Sequence, residues 1–186
     1  MQTFLPFSDF IRSLQLLDNK RLGKQRVEAF QLVKAIEGAP KIDGKAYKGW
    51  VHHPATIMWK KYPEALKLYY NFAIIIWESR EFKNSLSLFE IPDVILAPEW
   101  LGFEPFHSSH RSNLLKKDFQ FYSQYKWSDD PKNLYIWLDE NGKWYSFDRE
   151  ENKRIYLSSL NYTPKSKKIH YSYNPLHFSL KLFAEK

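Results

Sequence analysis

Apolar positions recur every three to four residues over most of the first 127 residues and then give way to alternation. Ser8 or Asp9 is placed to cap a short helix running through Phe10, Ile11, Leu14 and Leu17. A longer helix is predicted from near Asp18 to just before Gly38, with Leu22, Ala29, Val33 and Ile36 on one face and Phe30 beside them. Arg21, Lys24, Gln25, Glu28 and Gln31 share the opposite face. Arg26 breaks the pattern, because a helical wheel puts it next to Leu22, Phe30 and Val33. Residues 39–49 read as a loop. Helical pattern resumes over 56–61, and Pro63 suits the first turn of a helix over 64–82. Between Leu66 and Trp77 that helix is apolar nearly all round, which marks a central buried element. Pro92, Pro98 and Pro105 forbid a continuous helix over 90–106. A last helix is predicted from Ser108 or Ser109 to about Tyr125.

Beyond residue 127 the period changes. Residues 134–138 and 143–147 read as two strands joined through Asp139-Glu140-Asn141-Gly142, a hairpin closed by an Asn-Gly turn. Some strand is expected around 154–157, then a basic loop over 165–168 and an apolar tail. The predicted fold is mainly α: a helical body over 1–127, with a small β-containing C-terminal extension over 128–186 packed on the same domain.

Composition narrows the chemistry. The 186 residues hold 28 Lys+Arg against 21 Asp+Glu, a net charge of +7, and aromatic residues make up 18% of the chain. Such a basic, aromatic-rich chain suits a nucleic-acid binder, because cations meet phosphates and flat rings stack on bases; a basic protein with all its rings in the core has the same composition. Cysteine is absent, which excludes thiol nucleophiles, disulfides, iron–sulfur clusters and Cys-ligated zinc. No apolar run approaches the ~20 residues of a membrane span, and the first residues lack the pattern of a signal peptide. The expectation is a soluble intracellular protein, cytoplasmic (nucleoid-associated) or viral.

Three constellations carry candidate chemistry. The first is the charged helix face Arg21, Lys24, Gln25 and Glu28, together with the misplaced Arg26. A carboxylate ringed by cations is held ionised and positioned, which suits stabilising a cationic sugar or moving a proton; the plain alternative is a solvated face with a Lys24–Glu28 pair. The second is His52-His53-Pro54, where capping or phosphate contact at the next helix start is favoured over metal binding. The third is the run from Phe106 to Lys117, where His107, His110, Arg111, Lys116 and Lys117 gather at a predicted helix start as a phosphate cradle; a capped helix with basic exposed residues is the plain alternative. No Gly-rich phosphate loop, nucleophile elbow or zinc-binding spacing is present. No metal or cofactor is expected.

Three segments in order resemble the pyrimidine-dimer DNA glycosylase family: Met1-Gln2-Thr3-Phe4-Leu5-Pro6, the helix from Leu17-Asp18-Asn19-Lys20-Arg21-Leu22-Gly23 to Glu28, and His53-Pro54-Ala55-Thr56-Ile57-Met58-Trp59. The basic run ending at Lys116 and Lys117 stands where that family has a basic helix. The resemblance implies a helical bundle of the endonuclease V type acting on double-stranded DNA, taking a nucleotide out of the stack and excising its base. In that family an N-terminal amine attacks C1′ of the damaged nucleotide, and a helix carboxylate assists. The catalytic pair implied here is Met1, since Gln2 is too bulky for efficient Met removal, and Glu28. DNA contacts are implied for Arg21, Lys24, Gln25, Arg26, His53, His107, His110, Arg111, Lys116 and Lys117. Aligning on Leu17-Asp18 and Leu22 puts Glu28 at the carboxylate position, whereas aligning on Arg26 puts Gly23 there. The substrate expected is a pyrimidine dimer, with a modified phage-type base as the alternative. A non-catalytic DNA-binding module and an RNA nuclease using His107 and His110 as acid and base are the other readings.

Overall fold

A computed structural model describes residues 2–38, 44, 50–148, 150–160, 167–170 and 181–184. Helix accounts for 47% and strand for 12%, so the fold is mainly α. Gly44 apart, the loop predicted over 39–49 lies outside the described residues, as does Met1.

The first four helices follow from their caps and apolar stripes. Helix α1 spans Phe10–Gln15, and the Asp9 carboxylate accepts from the Arg12 amide at 2.7 Å. Helix α2 spans Asn19–Glu37; Asp18 caps it by accepting from the Arg21 amide, and Gly38 ends it at φ +67°, where a side chain would be strained. Helix α3 spans Pro54–Trp59 and α4 spans Pro63–Ser79, each with proline in its first turn, where the missing N–H costs nothing. Helix α4 is the buried axis: Leu66, Leu68, Tyr69, Tyr70 and Ala73 are wholly inaccessible. Helix α2 and helix α1 both pack against it.

The last long helix begins earlier and ends earlier than its sequence suggested. Helix α5 spans Glu104–Lys117, because Pro105 sits in its first turn and starts the helix instead of blocking it. Asp118, at φ −161°, interrupts the helix and caps a one-turn α6, Phe119–Tyr122, by accepting from the Phe121 amide at 3.1 Å.

Two three-stranded antiparallel sheets complete the described chain. One has the order β2–β3–β4, formed by Ile136–Leu138, Trp144–Asp148 and Lys153–Tyr156. It contains the expected hairpin, with Trp137 opposite Tyr145 and Gly142 at φ +76° in the turn. The other joins β1, Val94–Ala97, to β5, Lys167–His170, and then to β6, Lys181–Ala184. Strand β1 was hidden among prolines, and β5 occupies part of the segment read as a basic loop. Both are four residues long, too short for alternation to register.

The C-terminal strands share the core of the helices. Strand β2 packs on α3 and α5, and Trp144 stacks on Phe103 with ring centres 4.5 Å apart.

Candidate active site

The N-terminal segment is built into the middle of the protein. Gln2, Thr3, Phe4 and Leu5 are all less than 10% exposed. A segment there must hand its amides and carbonyls to side chains, since among the described residues no strand pairs with it. Phe4 N–H donates to Gln25 Oε1 at 2.9 Å, and Gln25 Nε2 donates to the Gln2 carbonyl at 2.8 Å. Leu5 is gripped from both sides by α5: its N–H donates to His110 Nδ1 at 3.0 Å, and its carbonyl accepts from His107 Nδ1 at 2.7 Å. Arg111 donates to the Pro6 carbonyl at 2.8 Å, and Trp59 donates to Thr3 Oγ1 at 2.9 Å.

These bonds show where the fold places several of the expected site residues. Gln25, His107, His110 and Arg111 were expected to face DNA; all four are buried and tie down the N-terminal segment, and Gln25 also lines the cavity that Glu28 opens onto. Gly102 N–H donates to His107 Nε2, so both ring nitrogens of His107 are engaged by backbone, and the ring carries its proton on Nδ1. Burial, with His107 and Arg111 nearby, pushes the His110 pKa well below the ordinary histidine value. Neither ring is placed to serve as acid or base on RNA. Arg26 is also elsewhere. Its guanidinium lies 4.1 Å from the Trp77 ring centre and donates to Asn84 Oδ1, which gives the misplaced cation its fixed partners.

What the segment presents is a carboxylate. Gln2 N–H donates to Glu28 Oε2 at 3.1 Å, and Gln25 Nε2 lies 3.4 Å from the same oxygen. Glu28 opens onto a cavity of about 510 Å³ whose lining includes Gln2, Lys20, Lys24, His53 and Lys117. Gly23 is on a different face of α2: a Cβ there would meet Trp77 at 3.0 Å. The helix position that reaches the cavity with a carboxylate is therefore Glu28.

Cations ring the mouth. Lys20, Lys24 and Lys117 are exposed, and Arg21 is held at the edge by Asp18 and by Asp118 at 3.5 Å. Burial works against the Arg21 charge, but the hydrogen bond and charge of Asp18 outweigh it and raise its pKa. Lys116 is exposed but is not part of the cavity lining.

His53 lines the cavity and caps α3, its Nδ1 accepting from the Ala55 amide at 3.1 Å. Burial pushes its pKa down to about 4, so the ring is neutral near pH 7 with its proton on Nε2. Between the unfolded value near 6.5 and about 4 the unfolded chain binds the extra proton, so this stability contribution is present above pH 6.5 and declines as pH falls toward 4. His53→Asn keeps a capping acceptor and removes the titration. Its melting temperature is expected to fall less steeply across that window, as followed by circular dichroism; a slope equal to wild type would refute the assignment.

Two aromatic residues that the sequence reading passed over complete the wall. Tyr135, immediately before β2, and Trp137 within it lie two apart, and both line the cavity. The Trp137 ring meets His53 edge-on, with centres 6.0 Å apart. Their alternation was visible as strand, but nothing in the sequence said which helix face the strand would cover.

Residues 1–90 match the pyrimidine dimer DNA glycosylase family. The match, over just under half of the chain, agrees with the resemblance read from the sequence, and the family's activity is DNA glycosylase. No curated protein and no solved structure matches the chain. The glycosylase match runs from the N-terminal segment through α4 and includes Gln2, Gln25, Glu28 and His53. Lys117, Tyr135 and Trp137 reach the same cavity from outside it. Among the described residues no helix is long and apolar enough to cross a membrane, and no cluster of His, Asp and Glu is placed to hold a metal ion.

Proposed function

We propose that the chain is a DNA N-glycosylase with abasic-site lyase activity, acting on a pyrimidine dimer through an N-terminal amine and Glu28 on a helical scaffold of the endonuclease V type. The observation that carries this reading is the 3.1 Å contact between the Gln2 amide and the Glu28 carboxylate inside a cavity ringed by lysines. That contact brings the start of the chain to the one carboxylate that the described residues contribute to the cavity lining. Met1 would supply the amine from the adjoining position.

An amine with an unperturbed pKa near 8 is partly neutral at physiological pH and nucleophilic. In the proposed reaction its nitrogen bonds to C1′ as the glycosidic bond breaks, and the base leaves with the bonding electrons and takes up a proton. Opening of the sugar ring gives an imine. Removal of a 2′ proton then expels the 3′ phosphate by β-elimination. Glu28 would stabilise the cationic sugar and carry the 2′ proton. The nucleotide would have to leave the stack to reach it. In this reading residues 1–127 carry the chemistry, and 128–186 are an addition that supplies part of the cavity wall.

Borohydride trapping on duplexes carrying a cyclobutane dimer or an abasic site tests the reading. The expected result is a covalent adduct mapped by mass to the N-terminal residue. No adduct on either duplex would defeat the amine mechanism.

The exposed lysines make a second prediction. Replacing Lys20, Lys24 and Lys117 together with Ala is expected to reduce the slope of log affinity against log salt by about 2 to 3, near 0.9 for each lost phosphate contact. Titrations at several salt concentrations measure it; an unchanged slope would move the DNA path elsewhere.

A further inference from the structure

Gln25 of α2 lines the cavity, and Tyr69 of α4 meets it from the core; both are wholly inaccessible. A buried carboxamide has two acceptor and two donor sites to satisfy. At Gln25 all four are taken. Its Oε1 accepts from the Phe4 N–H at 2.9 Å and from the Tyr69 hydroxyl at 2.7 Å. Its Nε2 donates to the Gln2 carbonyl at 2.8 Å and to Glu28 Oε2 at 3.4 Å. A backbone N–H can only donate and a carbonyl can only accept, so these two partners give the carboxamide a single orientation. Tyr69 is fixed in turn. Its ring lies edge-on to Phe10 with centres 5.6 Å apart, and 6.1 Å from the Trp59 ring. Its hydroxyl also has the Phe4 carbonyl within reach at 3.0 Å. Burial, with the charge of Glu28 adding to it, raises the Tyr69 pKa well above the ordinary tyrosine value, so the hydroxyl stays a donor at physiological pH.

We propose that Tyr69 and Gln25 are positioning residues, which hold the start of the chain and the Glu28 carboxylate in the register that the reaction uses. This role rests on the glycosylase reading and adds what aligns its amine with its carboxylate. The Gln2 carbonyl and Glu28 Oε2 are held by one planar NH2 group, so a turn of the carboxamide moves both contacts at once. Tyr69 stands behind Gln25, outside the cavity lining, and acts only through it. Reacting groups lose rate steeply when they are displaced, which makes the alignment worth more to the reaction than the hydrogen bonds are to the fold.

Tyr69→Phe removes the hydroxyl and keeps the ring, and Gln25→Met keeps the length of the side chain and removes the carboxamide. Single-turnover strand cleavage at a preformed abasic site is measured for each in two backgrounds, wild type and Glu28→Gln, over a range of protein concentrations. In the wild-type background the maximal rate is expected to fall roughly tenfold for Tyr69→Phe and further for Gln25→Met. The half-saturating concentration should not change, because the lysines at the mouth remain. In the Glu28→Gln background each substitution is expected to change the rate by less than about twofold, since a disabled carboxylate has no register left to keep. The same proportional loss in both backgrounds would show a purely structural role and overturn the proposal. An unchanged maximal rate in the wild-type background would overturn it too. Should circular dichroism show Tyr69→Phe unfolded, the Gln25→Met comparison decides. Wild-type protein inactive on abasic and dimer duplexes, or Glu28→Gln cleaving at the full rate, would instead defeat the glycosylase reading, and the positioning role with it.

Discussion

Glu28→Gln is expected to lower strand cleavage at a dimer by about 10²- to 10⁴-fold, the range for removing a positioned general acid–base group. DNA affinity should stay close to wild type. The replacement is isosteric, and its amide oxygen still accepts from the Gln2 N–H and from Gln25, so the contacts that pin the N-terminal segment survive. What disappears is the negative charge and the ability to take a proton. The lysines at the cavity mouth remain, so phosphate binding is retained. Gel-shift affinity and cleavage kinetics on the same duplex separate the two effects. Undiminished cleavage in the variant would remove Glu28 from the mechanism.

Arg111→Met is expected to cost about 3–5 kcal/mol of stability, because it leaves a buried carboxylate without its counter-ion. Arg111 Nε donates to Asp129 Oδ2 at 2.6 Å, and another guanidinium nitrogen reaches Glu104. The Arg111 and Asp129 side chains are 10% and 8% exposed, so little water replaces the lost bonds. The Pro6 carbonyl loses its donor at the same time. For a chain of this size the melting temperature should drop on the order of 10 °C. Adding Asp129→Asn should recover part of the loss, since it removes the uncompensated charge. Thermal melts of the single and double variants decide this; a single variant as stable as wild type would show the pair to be a surface interaction. Activity should fall with stability, because Arg111, His107 and His110 hold the segment whose amide meets Glu28.

The helices were legible because their signals are local. Asp9 and Asp18 cap, Gly38 stops, and an apolar stripe or an apolar cylinder gives the face each helix buries. Helix α5 was misplaced because proline has two local meanings, breaking a helix inside it and starting one at its first turn. The hairpin was legible through alternation and its turn, whereas β1 and β5 were not. They pair across 70 to 76 positions of chain, and short strands at that distance carry no local mark of each other.

The site divides in the same way. Sequence alone brought Glu28 and the charged face of α2 forward, together with the start of the chain, and it marked Arg26 as a cation out of place on an apolar face. Tertiary structure decided which polar residues face the cavity. Gln25 sits on the charged face by helical spacing and lines the cavity, yet its carboxamide is taken up by the backbone of the N-terminal segment. His107, His110 and Arg111 have the composition of a phosphate site, but a buried segment with no strand paired to it among the described residues needs donors and acceptors, and these side chains supply them. Tyr135 and Trp137 joined the cavity only because β2 packs on α3 and α5. Helical caps and stripes are properties of adjacent residues and can be read in order. Which polar side chain meets substrate and which meets backbone depends on what the fold lays over it, and that is settled by contacts between residues far apart in the chain.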